Sequence, residues 1–209
     1  MNARQIGPLT GILFVVLVVV AFVVSGETPG TDDSPQTIVS FYLDNDSEQS
    51  IASALLALAC VAFLFFLGTL RRALRAAAGD EGGLSTVALL GGLMIVVGAS
   101  IFAGIGFTLG DAADELPASA ILTLNALNSD LFFPVAVGTA VFNLGLALAI
   151  LRHGGLPRPL GWLALVVGIV GLTPGGFFAF LAMGIVVVWA SVVLVQQGAD
   201  PGPQQTTAP

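Results

Sequence analysis

Six stretches without one charged side chain, at about 9–24, 51–70, 87–109, 131–151, 160–172 and 177–195, take up most of this sequence and confine its charge to the segments between them. A bilayer core about 30 Å thick needs about 20 apolar residues in helical form, because backbone in hydrocarbon must satisfy its own hydrogen bonds. The pattern predicts an all-α fold: a polytopic transmembrane helix bundle of six spans. Only 9% of the 209 residues are charged, against roughly 25% in a soluble domain. The fifth stretch is the shortest, and Thr173-Pro174-Gly175-Gly176 follow it directly. The fifth and sixth are therefore expected to pair as a tight hairpin, with a buried re-entrant pair as the alternative.

The first stretch follows a single arginine, Arg4, and its apolar run is long for a signal core, so it reads as a retained anchor rather than a cleaved leader. Residues 1–197 are expected to form one membrane domain. Residues 198–209, rich in Pro, Gln and Thr, read as a disordered cytoplasmic tail.

Arginine sets the expected orientation, since cytoplasmic loops retain positive residues. There is no lysine, and with the N-terminus inside, Arg4, Arg71, Arg72, Arg75, Arg152 and Arg158 all fall on the inner face. Ten of the 13 acids, from Glu27 to Asp130, fall outside, and only Asp80, Glu81 and Asp200 fall inside. An even number of spans places both termini in the cytoplasm.

The two long outer segments resemble each other. In the first, Ser34 is a candidate N-cap with Pro35 at the first helical position, followed by an apolar face of Ile38, Val39, Tyr42 and Leu43. In the second, Pro117 plays the same part ahead of Ile121, Leu124 and Leu127. Each reaches a polar knot, Asp44-Asn45-Asp46-Ser47 or Asn125 with Asn128-Ser129-Asp130, that caps the next span. Pro35 to Arg71 is 36 residues and Pro117 to Arg152 is 35. The unit of span, short outer interfacial helix and span thus occurs twice in one orientation. It predicts a parallel repeat of spans 1–2 and 3–4 about a pseudo-twofold axis along the membrane normal.

Gly7-Pro8-Leu9-Thr10-Gly11, the acidic outer loop, Asn125-Ala126-Leu127-Asn128-Ser129-Asp130 and Leu160-Gly161-Trp162 occur together here. In these the chain resembles a group of small uncharacterised polytopic membrane proteins of high-GC Gram-positive bacteria that carry a domain of unknown function. The resemblance covers all but the C-terminal tail. It implies six spans and a plasma-membrane location, and brings no activity and no catalytic residues.

No ionisable acid or base lies within the spans, which argues against a proton-coupled pump. The lone His153 sits in an inner loop, and the single Cys60 admits neither an intramolecular disulfide nor a cysteine metal cluster. Without lysine there is no phosphate loop, and no basic patch suits nucleic acid. Asp44, Asp46 and Glu48 alternate like oxygen donors for Ca²⁺ or Mg²⁺, but read better as solvated charge. No catalytic constellation, metal site or cofactor is expected.

The remaining candidates for binding a ligand are Asn143, in the middle of the fourth span, and Asn125, Asn128 and Asp130 at its outer mouth. Gly7-x-x-x-Gly11, Gly106-x-x-x-Gly110 and Gly171-x-x-x-Gly175 offer small-residue faces, for a neighbouring helix or for a membrane partner or second copy. The favoured function is a non-enzymatic accessory protein that interacts with lipid or a membrane partner. The alternatives are a small transporter or channel with its pathway between the repeats, and a membrane enzyme acting on lipid. A pathway demands a polar cavity that reaches Asn143.

Overall fold

A computed structural model describes residues 3–79 and 82–199. Most of the expected tail, together with Asp80 and Glu81, lies outside the described residues. Eight helices make up most of the described residues, with no strand among them: α1 (Ala3–Ser25), α2 (Pro35–Asp44), α3 (Asp46–Ala78), α4 (Gly83–Asp111), α5 (Ala118–Asp130), α6 (Phe132–His153), α7 (Arg158–Val170) and α8 (Gly176–Ala199).

Local chemistry sets the boundaries. The Ser34 hydroxyl accepts from the Thr37 N–H at 3.2 Å, and Pro35 opens α2 as its first residue. In the second copy Pro117 instead precedes the helix, which begins at Ala118. The breaks between outer helix and span are one residue wide, at Asn45 and Leu131. At the first, the Asn45 amide donates to the Phe41 carbonyl at 2.8 Å and closes the end of α2. Shortly after the second, Pro134 has no N–H to return to Asp130, which favours a break there over one continuous helix. Gly26, Gly79 and Gly154 follow α1, α3 and α6 at φ of 64°, 58° and 78°, a region closed to most side chains.

Five helical stretches are long and apolar enough to cross a membrane, with α5 and α6 counted as one. The chain is a multi-helix membrane protein. Its outward faces bear Val23, Phe65, Val97, Val166 and Ile185, each about half exposed or more, whereas its inward faces combine small residues with a core of Phe63, Phe66, Phe142 and Leu146. The fifth expected span differs. Helix α7 has 13 residues, about 20 Å at 1.5 Å per residue, and is too short to cross alone.

The hairpin of α7 and α8 nevertheless runs the length of the bundle. A Cβ on Gly161 would touch Ile150, on Gly168 Leu144, on Gly171 Ala140 and on Gly176 Ala136, so the chain climbs α6 antiparallel and finishes the climb as a turn. Phe177, at the start of α8, packs 5.6 Å from Phe132 at the start of α6 and 6.3 Å from Phe22 near the end of α1. At the other end Gln197 donates to the Gly155 carbonyl at 3.0 Å.

The helices close into a ring. α1 packs on α3, α3 on α4, α4 on α6 and α6 on α7, while α8 joins α7 and α6 back to α1. The α1–α3 pair of the first unit corresponds to α4–α6 of the second, and α2 packs on α5 across them. The twofold fails where α6 would meet α1, because α8 occupies that seam. In the core, Phe63 stacks on Phe14 with ring centroids 4.4 Å apart and meets Phe142 edge-on at 5.7 Å, joining α3 to α1 and α6.

Most glycines serve these internal contacts. A Cβ on Gly145 would lie 2.6 Å from the Ala88 backbone nitrogen, and Gly138 is as tight against Ile95, so α4 and α6 touch backbone to backbone. Gly7 meets Thr69, Gly11 meets Phe66 and Ser191, and Gly106 and Gly110 meet Ser53 and Ser50. Two of the three small-residue motifs are therefore consumed within the chain. In the third, Gly171 packs on Ala140 while Gly175 touches only its own turn.

Candidate functional site

Four segments converge at the end of the bundle that carries the acids: the close of α1 with its following loop, the first turns of α3, the last turns of α4, and α5 roofed by α2. A second apolar cluster, built on Ile38, Tyr42, Leu109, Ala113 and Ile121, holds α2 and α5 to each other and to the end of α4. Beneath this roof lies a cavity of about 160 Å³.

No charged side chain lines it. Tyr42, Gln49, Ser53 and Asn125 form its buried polar part. Ala21, Leu56 and Phe102 line its deeper, apolar part, one to two helical turns further along their helices. Phe22, Gly26, Thr28 and Ser129 are the exposed lining residues and mark the mouth, between the end of α1 and the end of α5.

Most of the polar groups are already paired. The Tyr42 hydroxyl donates to Asn125 Oδ1 at 2.7 Å, a buried bond between α2 and α5. Burial pushes the Tyr42 phenol up to about 12, so it stays protonated and able to donate. Gln49 Nε2 donates to the Ser25 carbonyl at 2.8 Å, and the Ser25 hydroxyl returns a bond to Gln49 Oε1 at 3.2 Å, tying α1 to α3. The Ser129 hydroxyl donates to the Asn125 carbonyl at 3.0 Å. Asn128 Oδ1 is buried without a partner.

Of the four residues marked in the sequence, the structure thus brings Asn125 and Asn128 to the cavity. Asp130 is exposed at the end of α5 and does not line it. Asn143 is elsewhere: it is 0% exposed, its Nδ2 donates to the Thr139 carbonyl one turn back at 2.8 Å, and its Oδ1 has no partner. It is not among the residues that line the cavity, whose floor is apolar. Asp44 and Asp46 stand on either side of the break between α2 and α3, exposed like Glu48.

No family model, curated protein or solved structure matches this chain. Sequence reasoning passed over Tyr42 as an apolar contact and missed Gln49, Ser25 and Ser53. Gln49 had a signal: it is an amide just ahead of an uncharged run, on the face that recurs as Ala52, Ser53, Ala59 and Cys60, all buried.

Proposed function

We propose that this chain is a non-enzymatic plasma-membrane protein of six crossings, with α7 and its turn as the fifth and both termini cytoplasmic. Its outer-end cavity receives a small uncharged, partly apolar molecule from the outer leaflet. We place it with the small polytopic membrane proteins of high-GC Gram-positive bacteria that its motifs resemble. The observation that carries the reading is the cavity lining: hydroxyls and amides above, aromatic and aliphatic groups below, and no charge. An ion entering such a lining leaves its water without a counter-charge, at a cost of several kcal/mol. A neutral amphiphile pays little.

The orientation rests on the arginines. Gly155 in the α6–α7 loop packs against Ala73 and Ala77 of α3, which gathers Arg71, Arg72, Arg75, Arg152 and Arg158 at one end, opposite the acids.

A transporter with its pathway between the repeats gains from the cavity's position, which does lie between them. It loses more from Asn143, sealed in the apolar core and bonded only to its own helix. Purified in mild detergent, the wild-type protein is expected to carry a neutral lipid that mass spectrometry detects and that Ala52→Leu, which fills the cavity, releases. Equal lipid content in the two proteins would remove the cavity from the function.

A further inference from the structure

Resting on that reading, we infer that the occupant is a hydroxylated neutral lipid of the acylglycerol class. Its glycerol hydroxyl donates to Asn128, and its first chain atoms lie against Phe22, Leu56 and Phe102. Three observations converge on this class.

The first is the hydrogen-bond account. Tyr42, Asn125, Gln49 and Ser25 are occupied with one another, so a ligand gains little by competing for them. Asn128 Oδ1 is the acceptor left buried and unpaired, and such a group costs about 1–3 kcal/mol until a donor reaches it. A hydroxyl supplies that donor and can accept from the same amide in return. An ester or a ketone supplies none.

The second is charge. Phosphate and carboxylate headgroups would meet neither an arginine nor a lysine in the cavity.

The third is size and direction. At ~30 Å³ for each water-sized group, a volume of about 160 Å³ holds five or six heavy atoms, the size of a glycerol unit. A whole lipid does not fit, so the acyl chain must leave. Phe22 stands at the mouth on the outer face of α1, 41% exposed, where a chain passes directly into the surrounding lipid.

The test uses the full chain in phosphatidylcholine nanodiscs, with a photoreactive monoacylglycerol whose diazirine sits near the headgroup. Cross-linked peptides are read by mass spectrometry. Labelling is expected in the Phe22–Pro29 segment and in α5, and is competed by unlabelled monooleoylglycerol but not by methyl oleate, oleoyl phosphatidic acid or free glycerol. Asn128→Leu is expected to raise the monooleoylglycerol concentration needed for half-competition about tenfold, the size of one hydrogen bond. Asn128→Ala serves if the leucine variant does not elute as a single species.

If methyl oleate competes as well as monooleoylglycerol and Ala52→Leu still blocks labelling, the cavity binds lipid but the hydroxyl assignment is overturned. If free glycerol competes, the occupant is a soluble polyol and the lipid assignment is overturned. Labelling that ignores Ala52→Leu overturns the cavity reading itself.

Discussion

Asn143 and Asn125 present the same side chain to very different surroundings. Asn143 lies in the apolar core with one bond to its own helix and an unpaired carbonyl oxygen, an arrangement that stores a desolvation cost. Replacing it by leucine removes an unsatisfied group of similar volume, which is neutral or stabilising. Thermal unfolding of Asn143→Leu in detergent is expected to match or exceed wild type, and a loss above about 1 kcal/mol would reveal a polar role. Asn125 behaves oppositely, since its Oδ1 receives the Tyr42 hydroxyl across the two outer helices. Tyr42→Phe orphans that oxygen and is expected to cost about 1–3 kcal/mol in the same measurement. Tyr42 is the only tyrosine, so tyrosinate absorbance follows this bond alone. Its folded value lies above the ordinary 10.0, at about 12, so the unfolded chain loses the proton first as pH rises. The stability held by the protonated phenol is therefore complete below about pH 10 and is lost as pH rises towards about 12. Titration of the native protein near pH 10 would contradict the buried bond.

Among the elements, glycine decides where helices approach. Gly145 on α6 faces the α4 backbone, whereas Gly104 on α4 faces open space. Gly145→Val is expected to force the pair apart and lower the unfolding temperature sharply, by the ~1–3 kcal/mol of an overpacked contact or more, while Gly104→Val leaves it within about 0.5 kcal/mol. Equal effects would mean that the α4–α6 contact is not what holds the bundle. Much of this level was legible in the sequence. The apolar runs marked the long helices, because a span must be continuous and uncharged, and Ser34-Pro35 marked the start of α2 to the residue. Pro117 was misplaced by one position, since proline suits both the first helical residue and the one before it. The site was half legible. Asn125 and Asn128 stood out as amides beside a span, but nothing in a linear pattern tells an amide facing a cavity from one facing its own helix. Gln49 and Ser25 meet across 24 residues, and only the approach of α1 to α3 makes them one unit.

At the scale of the molecule, the arginines from Arg71 to Arg158 gather at one end of the bundle, and it is Lys and Arg near the ends of spans that set orientation in a membrane. In a Cys60→Ala background, a cysteine at Thr31 is expected to react with a membrane-impermeant maleimide in intact cells. A cysteine at His153 is expected to react only after permeabilisation, and the reverse pattern would invert the protein. The break in the pseudo-twofold also has a bearing on biosynthesis. Because α8 fills the seam between α1 and α6, α1 gains its second neighbour only from a helix made well over a hundred residues later. Until α8 emerges, two apolar flanks face lipid that will later face protein. A chain truncated ahead of α8 keeps both flanks open, as a ready target for membrane quality control.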